Sequence, residues 1–321
     1  MAAPIGVDMM SALVRHYVLP QVTDNVYTKN NALLFRLLNS GKRIIQGGTH
    51  IEIPVLYRRF TTGGPYRGYD IIDVAPQDTV RNVYVDWKQQ SVPFAISELD
   101  LIKADSPLAI ANLLTILGQQ TYMEMGENLS AGVVLGDGTT NPKDIDGLEA
   151  IVEDSNTYGG IDRTTNAFWQ ATLDSSTNAL TLAAMHSLFS DATIGASHPT
   201  IWFGNGTNYN RLYALNLSTT GYSVQYVREP GGHDEVLAQA GFTNLLFENI
   251  PFVRDDNMTD SDSYALNENF LALVVSSRAD FYMHDFQKPV NQNAYITNLD
   301  WAGNLICMNS ATQARFDALT S

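Results

Sequence analysis

Between residues 106 and 135 the chain repeats Ile110, Leu113, Leu114, Leu117, Thr121, Met125, Leu129 and Val133 at three- and four-residue steps. That spacing puts them on one helical face, which must be buried. Asp105 or Ser106 supplies a capping oxygen, Pro107 falls at the first helical position, and Gly136-Asp137-Gly138 ends the run. Thirty helical residues would span roughly 45 Å, where globular helices usually have ~10–14 residues. Gly118, Gly126 and Gly132 lie inside, each costing up to ~1 kcal/mol against alanine. A bent or broken pair of helices is therefore the alternative. The preferred reading is one spine that carries a sheet, an arm and a second domain.

Upstream, residues 7–19 have helical spacing in Val7, Met10, Leu13, Val14 and Tyr17, ended by Pro20. A second helix is expected over 24–38, capped by Asp24 and closed by Asn39-Ser40-Gly41. Two short amphipathic helices have little core of their own, which suits an arm lying on something else.

The period then changes to two. Ile51, Ile53, Val55 and Tyr57 face one way, and Glu52, Pro54, Leu56 and Arg58 the other. Val83, Val85 and Trp87 repeat the pattern, and Pro54 marks an edge strand or a bulge. The connection between the two strands is long for a hairpin. Tyr66, Tyr69, Ile71 and Ile72 make it a poor candidate for disorder and a good one for an interface. Residues 50–90 are read as a projecting hairpin that packs on a neighbouring copy. Its candidate contacts are Arg58, Arg59, Tyr66, Arg67, Tyr69, Ile71 and Ile72. The rival view makes residues 60–80 a lid over the protein's own pocket.

After the spine, strands interleaved with helices predict an α+β domain over about 145–260. It includes a helix over 177–190 with Leu180, Ala183, Ala184, Leu188 and Phe189 inward, and a buried strand over 199–203. A helix follows, capped by Asn205 or Thr207, and then strands over 243–253 broken at Pro251. The apolar run 270–275 reads as a strand covered on both faces. Strands over 295–299 and 304–308 flank Asp300-Trp301-Ala302-Gly303, a candidate hairpin turn. These strands are expected to return to the spine, leaving the second domain inserted in the first.

Hydrophobic residues make up 45% of the 321 and charged residues only 17%, so some surface should be covered by partner subunits. The net charge of −15 ill suits a nucleic-acid grip. It is uneven: residues 1–67 hold eight cations against three carboxylates, and the remainder is strongly acidic. Such a division could attract one copy to another. Cys307 is the only cysteine, no signal segment is evident, and no stretch is long and apolar enough for a membrane span. A soluble cytoplasmic protein is expected.

No chemistry stands out. His16, His50, His186, His198, His233 and His284 are not spaced as metal ligands, and the nucleophile-elbow, zinc-protease and phosphate-loop motifs are missing. Asp255, Asp256, Asp260 and Asp262 form the densest carboxylate group, without calcium-loop spacing. Arg163 and Trp169 are close enough in sequence to stack, and Cys307 is read as buried and inert. No catalytic, cofactor-binding or metal-ligating residue is assigned.

The layout of arm, long hairpin, spine helix, inserted domain and returning strands resembles the tailed-bacteriophage major capsid proteins of the Hong Kong ninety-seven fold. The verbal matches are Gly147-Leu148-Glu149-Ala150-Ile151-Val152, Tyr158-Gly159-Gly160-Ile161-Asp162-Arg163 and Phe168-Trp169. Leu246-Phe247-Glu248-Asn249-Ile250-Pro251-Phe252-Val253-Arg254-Asp255-Asp256 and Tyr264-Ala265-Leu266-Asn267 follow. The resemblance implies an α+β capsid fold. Residues 1–40 would be the N-terminal arm and 41–95 the extended loop with its β roots. Residues 96–140 and 262–321 would form the peripheral domain around the spine helix, and 141–261 the axial domain.

As function, the resemblance implies a structural protein that self-assembles through pentamers and hexamers into an icosahedral head. Its partners would be a portal, decoration proteins and double-stranded DNA packaged without sequence-specific binding, with no membrane. Assembly would occur in the host cytoplasm and the product would be the virion capsid. Some members carry a scaffolding segment before the arm; little precedes it here, so a separate scaffolding protein is implied. Some members crosslink a loop lysine to a neighbour, but residues 60–80 hold no lysine, so no such crosslink is expected. An encapsulin-like compartment shares the fold and remains an alternative. A hydrolase with the 60–80 loop as its lid is an alternative of another class, and a secreted adhesin would fit the composition but lacks a signal.

Overall fold

The computed structural model describes residues 31–71, 75–103, 107–220 and 244–320. In chain order, helix α1 (Ala32–Ser40) leads into β1 (Lys42–Ile45), then the hairpin strands β2 (Ile51–Leu56) and β3 (Val80–Val85). β4 (Lys88–Ser97), α2 (Glu98–Lys103) and the spine α3 (Pro107–Leu135) follow, then α4 (Leu148–Ile151), β5 (Thr157–Tyr158) and β6 (Ile161–Asp162). Next come β7 (Thr172–Asp174), α5 (Leu182–Asp191), β8 (Ile201–Gly204) and α6 (Gly206–Thr220). The last elements are β9 (Asn244–Phe247), β10 (Ile250–Arg254), β11 (Ser263–Leu266), β12 (Leu271–Ser276), β13 (Tyr282–Met283), β14 (Ala294–Cys307) and β15 (Ala314–Phe316). The helix expected over 7–19, the start of the one over 24–38 and the cap before α3 lie outside the described residues.

The spine is one unbroken helix of 29 residues. Ile110, Leu114, Thr121, Met125, Leu129 and Val133 are buried, with Leu113 and Leu117 half-buried beside them. This face packs on β4 and β14, while α1 and α4 lie against its flanks. Glycines set its C-terminal end. A Cβ on Gly136 would sit 2.3 Å from the carbonyl oxygens of Gly132 and Ile145, and one on Gly147 would sit 2.6 Å from that of Gly132. The spine can therefore receive the next segment only where positions 136 and 147 carry no side chain.

A five-stranded sheet lies beneath the spine. β1 runs parallel to β12, and β12 pairs antiparallel with the last part of β14. Gly303 has both Val275 and Lys88 as register partners, so β12 and β4 occupy opposite edges of β14. The near-continuous apolar β12 is buried over its first five residues, as a strand covered on both faces should be. A second sheet, of six strands, has the order β7-β15-β11-β8-β10-β9. Its own core gathers Trp202 against Phe252 and Phe316, with ring centroids 6.5 and 6.3 Å apart.

Several expectations are corrected. Residues 300–303 form no turn: β14 runs straight through them and Trp301 is fully buried. Gly303 is a packing glycine, since a Cβ there would lie 2.3 Å from the Val274 carbonyl oxygen and 2.7 Å from the Trp301 ring. The strands of 243–253 break at Glu248-Asn249, both with positive φ, and not at Pro251. Pro251 pairs with Leu246 next to the turn, at a site where the missing N–H is not needed by β9. In α5 the inward residues are Met185 and Leu188, while Ala183 is exposed; the helix begins later than expected because Thr181 caps it, accepting from the Ala184 N–H. The strands expected at 270–275, 295–299 and 304–308 do return to the sheet beneath the spine, as β12 and β14 with the short β13 beside them, whereas β11 and β15 join the six-stranded sheet. β4 was not anticipated, although Val92, Phe94 and Ile96 alternate with exposed Ser91, Pro93 and Ala95.

Gly303→Ala should lower stability by about 1–3 kcal/mol, through overpacking between β12 and Trp301. Urea unfolding followed by tryptophan fluorescence measures it; an unchanged midpoint would refute the packing role.

Candidate functional site

The hairpin of β2 and β3 is a two-stranded sheet separate from the two larger ones. Its register pairs Ile51 with Val85 and Leu56 with Val80. Ile51, Ile53, Val83 and Val85 are buried against the body, which the two-residue period anticipated. The ladder continues past the strands, with the Tyr57 N–H donating to the Thr79 carbonyl at 3.1 Å.

The root is clamped at several points. The Tyr84 N–H donates to the Gly159 carbonyl at 3.1 Å. Gly159 and Gly160 (φ +61 and +77) turn the small β5–β6 hairpin, and a Cβ on Gly159 would lie 2.0 Å from a Val83 methyl. Arg81 stacks over Tyr57 and donates to Asn166 Oδ1 at 3.3 Å, and the Tyr57 and Phe168 rings lie 5.7 Å apart. At the other end, His50 Nδ1 lies 2.7 Å from Asp86 Oδ1, and Trp87 Nε1 donates to the Gly48 carbonyl at 3.0 Å. The Gly-Gly turn signal at 159–160 was legible in the sequence; that it would press on Val83 was not.

Beyond the root, the tip is bare. Arg58, Arg59, Tyr66, Arg67, Tyr69 and Ile71 are all exposed, as are Leu56 and Phe60, which the sequence reading did not single out. Ile71 is 98% exposed. Ile72 lies outside the described residues. The guanidiniums of Arg58, Arg59 and Arg67 meet no carboxylate among the described residues. The local order is made by the chain itself: Asp70 accepts from the Arg67 N–H at 2.9 Å, and Gln77 Oε1 from the Thr61 N–H at 3.0 Å. Three surface cavities of about 470, 330 and 160 Å³ are lined by other segments, not by residues 57–79.

Geometry also dictates how the hairpin can meet another surface. Because the Tyr84 N–H points away from β2, its partner Glu52 and the next such residue, Pro54, direct their backbone outward. A proline at that position removes a donor from the free edge. Strand addition along β2 is disfavoured, and contact through side chains is left.

The remaining sequence candidates prove structural. Arg163 is fully buried and, among the described residues, meets no carboxylate in an ion pair; its guanidinium lies over Tyr158 rather than Trp169. It donates to the carbonyls of Ala150, Ile151 and Trp169, to Asn156 Oδ1 and to Ser310 Oγ. It thus helps satisfy the last carbonyls of α4, sharing that of Ala150 with the Asn156 amide. Asp255 is buried and accepts from the Leu33 N–H at 3.1 Å, in the first turn of α1. Asp260 bonds Thr207, Asp262 faces Arg315, and Asp256 accepts from Arg254, so the carboxylate group is dispersed among protein partners. Among the described residues no group of three potential ligands could hold a metal ion, and no helix is long and apolar enough to cross a membrane. Cys307 is buried, and desolvation pushes its thiol up to about 11.

No protein-family model matches the sequence, and no curated protein matches it either. Solved structures do. The capsid asymmetric unit of cyanophage A-1(L) superposes with a TM-score of 0.70 at 15% identity, covering 92% of this chain and 94% of that one. This is the tailed-phage capsid fold. The capsid of the myovirus XM1 follows at 0.54 and 13%, with 88% and 91% covered. The encapsulin SrpI of Synechococcus elongatus follows at 0.56 and 10%, with 89% and 87% covered.

Within the capsid fold, the Arg163 node joins the segment after the spine to the end of β14. Arg163→Met should lower stability by about 2–4 kcal/mol, because it leaves buried carbonyls unpaired. Thermal and urea unfolding test this; a loss below about 0.5 kcal/mol, the level of an ordinary surface change, would contradict it.

Proposed function

We propose that this chain is the major capsid subunit of a tailed phage, self-assembling into the icosahedral head around packaged double-stranded DNA. The observation that carries the reading is the bare hairpin. On a fold whose solved relatives are shell subunits, one long element presents exposed aromatic, aliphatic and arginine side chains that the other described residues leave uncovered. Interfaces favour this mixture. Arg58, Arg59, Tyr66, Arg67, Tyr69, Ile71 and Ile72 are the contacts assigned to a neighbouring copy.

In this role residues 1–40 act as the arm, 41–95 as the extended loop, 96–140 and 262–321 as the peripheral domain, and 141–261 as the axial domain. Its partners are copies of itself in pentamers and hexamers, a separate scaffolding protein, a portal and decoration proteins. The chain works in the virion capsid after assembly in the host cytoplasm. Many weak contacts repeated around each subunit supply collective stability. The net charge of −15 suits a wall that does not hold the DNA it encloses.

The encapsulin reading rests on a weaker likeness, 0.56 against 0.70.

Purified protein, alone and with candidate scaffold, should form shells, tubes or rings of five or six in negative-stain micrographs and in sedimentation velocity. A persistent monomer or dimer under every condition would refute the reading. Deleting residues 62–79 should leave the circular-dichroism spectrum and cooperative unfolding intact while abolishing assembly; loss of folding would instead sink the interface role of the loop. Boiled shells should run as single 35.4 kDa chains on a denaturing gel, since no lysine lies in the 60–80 loop. A covalent ladder would contradict this.

A further inference from the structure

The hairpin root meets the body around one half-buried carboxylate, that of Asp146. Asn304, fully buried on β14, donates its amide to Asp146 Oδ2 at 2.7 Å and to the Asp86 carbonyl at 2.9 Å. Its Oδ1 accepts from the Asp146 N–H at 3.0 Å. One side chain thus ties the strand beneath the spine to the segment after the spine and to the residue that follows β3. Asp146 also lines a polar cavity of about 160 Å³ with Tyr84, Asp86, Lys88, Gly138, Asn156 and Gly159. That cavity is walled by the hairpin root on one side and by the β5–β6 turn on the other. Lifting the root would break the bonds to Asp86 and Gly159 and open the half-buried carboxylate fully to water.

We propose that Asp146 couples the seating of the hairpin to pH: the root closes on the body when Asp146 carries a proton and opens more readily when it is ionised. The charged and titratable groups that face it are Asp86 after β3, Lys88 on β4, Asp137 after the spine and Tyr158 on β5. Burial raises the Asp146 carboxyl above its ordinary 3.8; the Asn304 hydrogen bond and Lys88 oppose this, while Asp86 and Asp137 add to it. Lys88 is held off, its Nζ donating to the Pro142 carbonyl at 2.7 Å. The sign follows by linkage. The closed root binds the proton more tightly than the opened, hydrated one, so the stabilisation is complete below the ordinary value and is lost as pH rises through the raised one. Acid seats the hairpin.

The test uses the unassembled subunit, so its failure leaves the shell reading untouched. Amide exchange at Tyr84, corrected for intrinsic rates, should slow severalfold as pH falls from neutral to below the ordinary carboxylate range, with the hairpin's own ladder moving less. In Asp146→Asn the Tyr84 amide should be as protected at about pH 7.5 as the wild type is in acid, and the pH dependence should vanish. The same pH dependence in the variant, or none in the wild type, would overturn the proposal. Should Asp146→Asn fail to fold, Lys88→Met carries the test: removing the ammonium should move the wild-type transition to higher pH, and an unmoved transition would refute the role of Asp146.

Discussion

The contact between the spine helix and the β4–β14 ladder is the one on which the other elements depend. A 29-residue helix has no reason to stay straight in water, because helical hydrogen bonds alone add little net stability. Its length is useful only if an equally long apolar surface lies beneath it. The ten-residue pairing of β4 with β14 supplies that surface. Ile110, Leu114, Met125, Leu129 and Val133 on the helix share one core with Ile96, Leu299, Trp301 and Leu305 on the sheet. Gly136 and Gly147, where a Cβ would strike backbone, then let the chain turn back closely against the end of the spine.

Polar groups tie the parts together where apolar packing cannot reach. Arg163 gathers the carbonyls at the end of α4, Asn304 holds the hairpin root, and Asp255 receives the first turn of α1. Each is buried and has no alternative partner in solvent, so each connection is directional in a way that an apolar contact is not. Burial holds Asp146 and Asp255 above their ordinary values.

The exposed hairpin fits the same logic. Its inner face is buried, its free edge carries Pro54 against strand addition, and its tip keeps hydrophobic side chains in water. Among the described residues nothing covers that tip.

Helical periodicity located the spine almost to the residue, and alternation located the two faces of the hairpin, because both depend only on which side chains need burial. The exposed tip residues were legible for the same reason, as apolar side chains in a connection too long to be a turn. Asp300-Trp301-Ala302-Gly303 misled because a glycine after small and polar residues has turn chemistry; only the neighbouring Val274 carbonyl and the Trp301 ring show that it serves close packing. Likewise, β11 and β15 cannot be assigned to a sheet from their own composition, since that choice is made by partners many residues away. By itself the sequence determined the periods, the caps and the side chains that must leave water, all local consequences of composition and spacing. The tertiary structure decided which strands pair, which glycines are seams and where a carboxylate is buried. Those depend on contacts between residues far apart in the chain, and no local pattern encodes them.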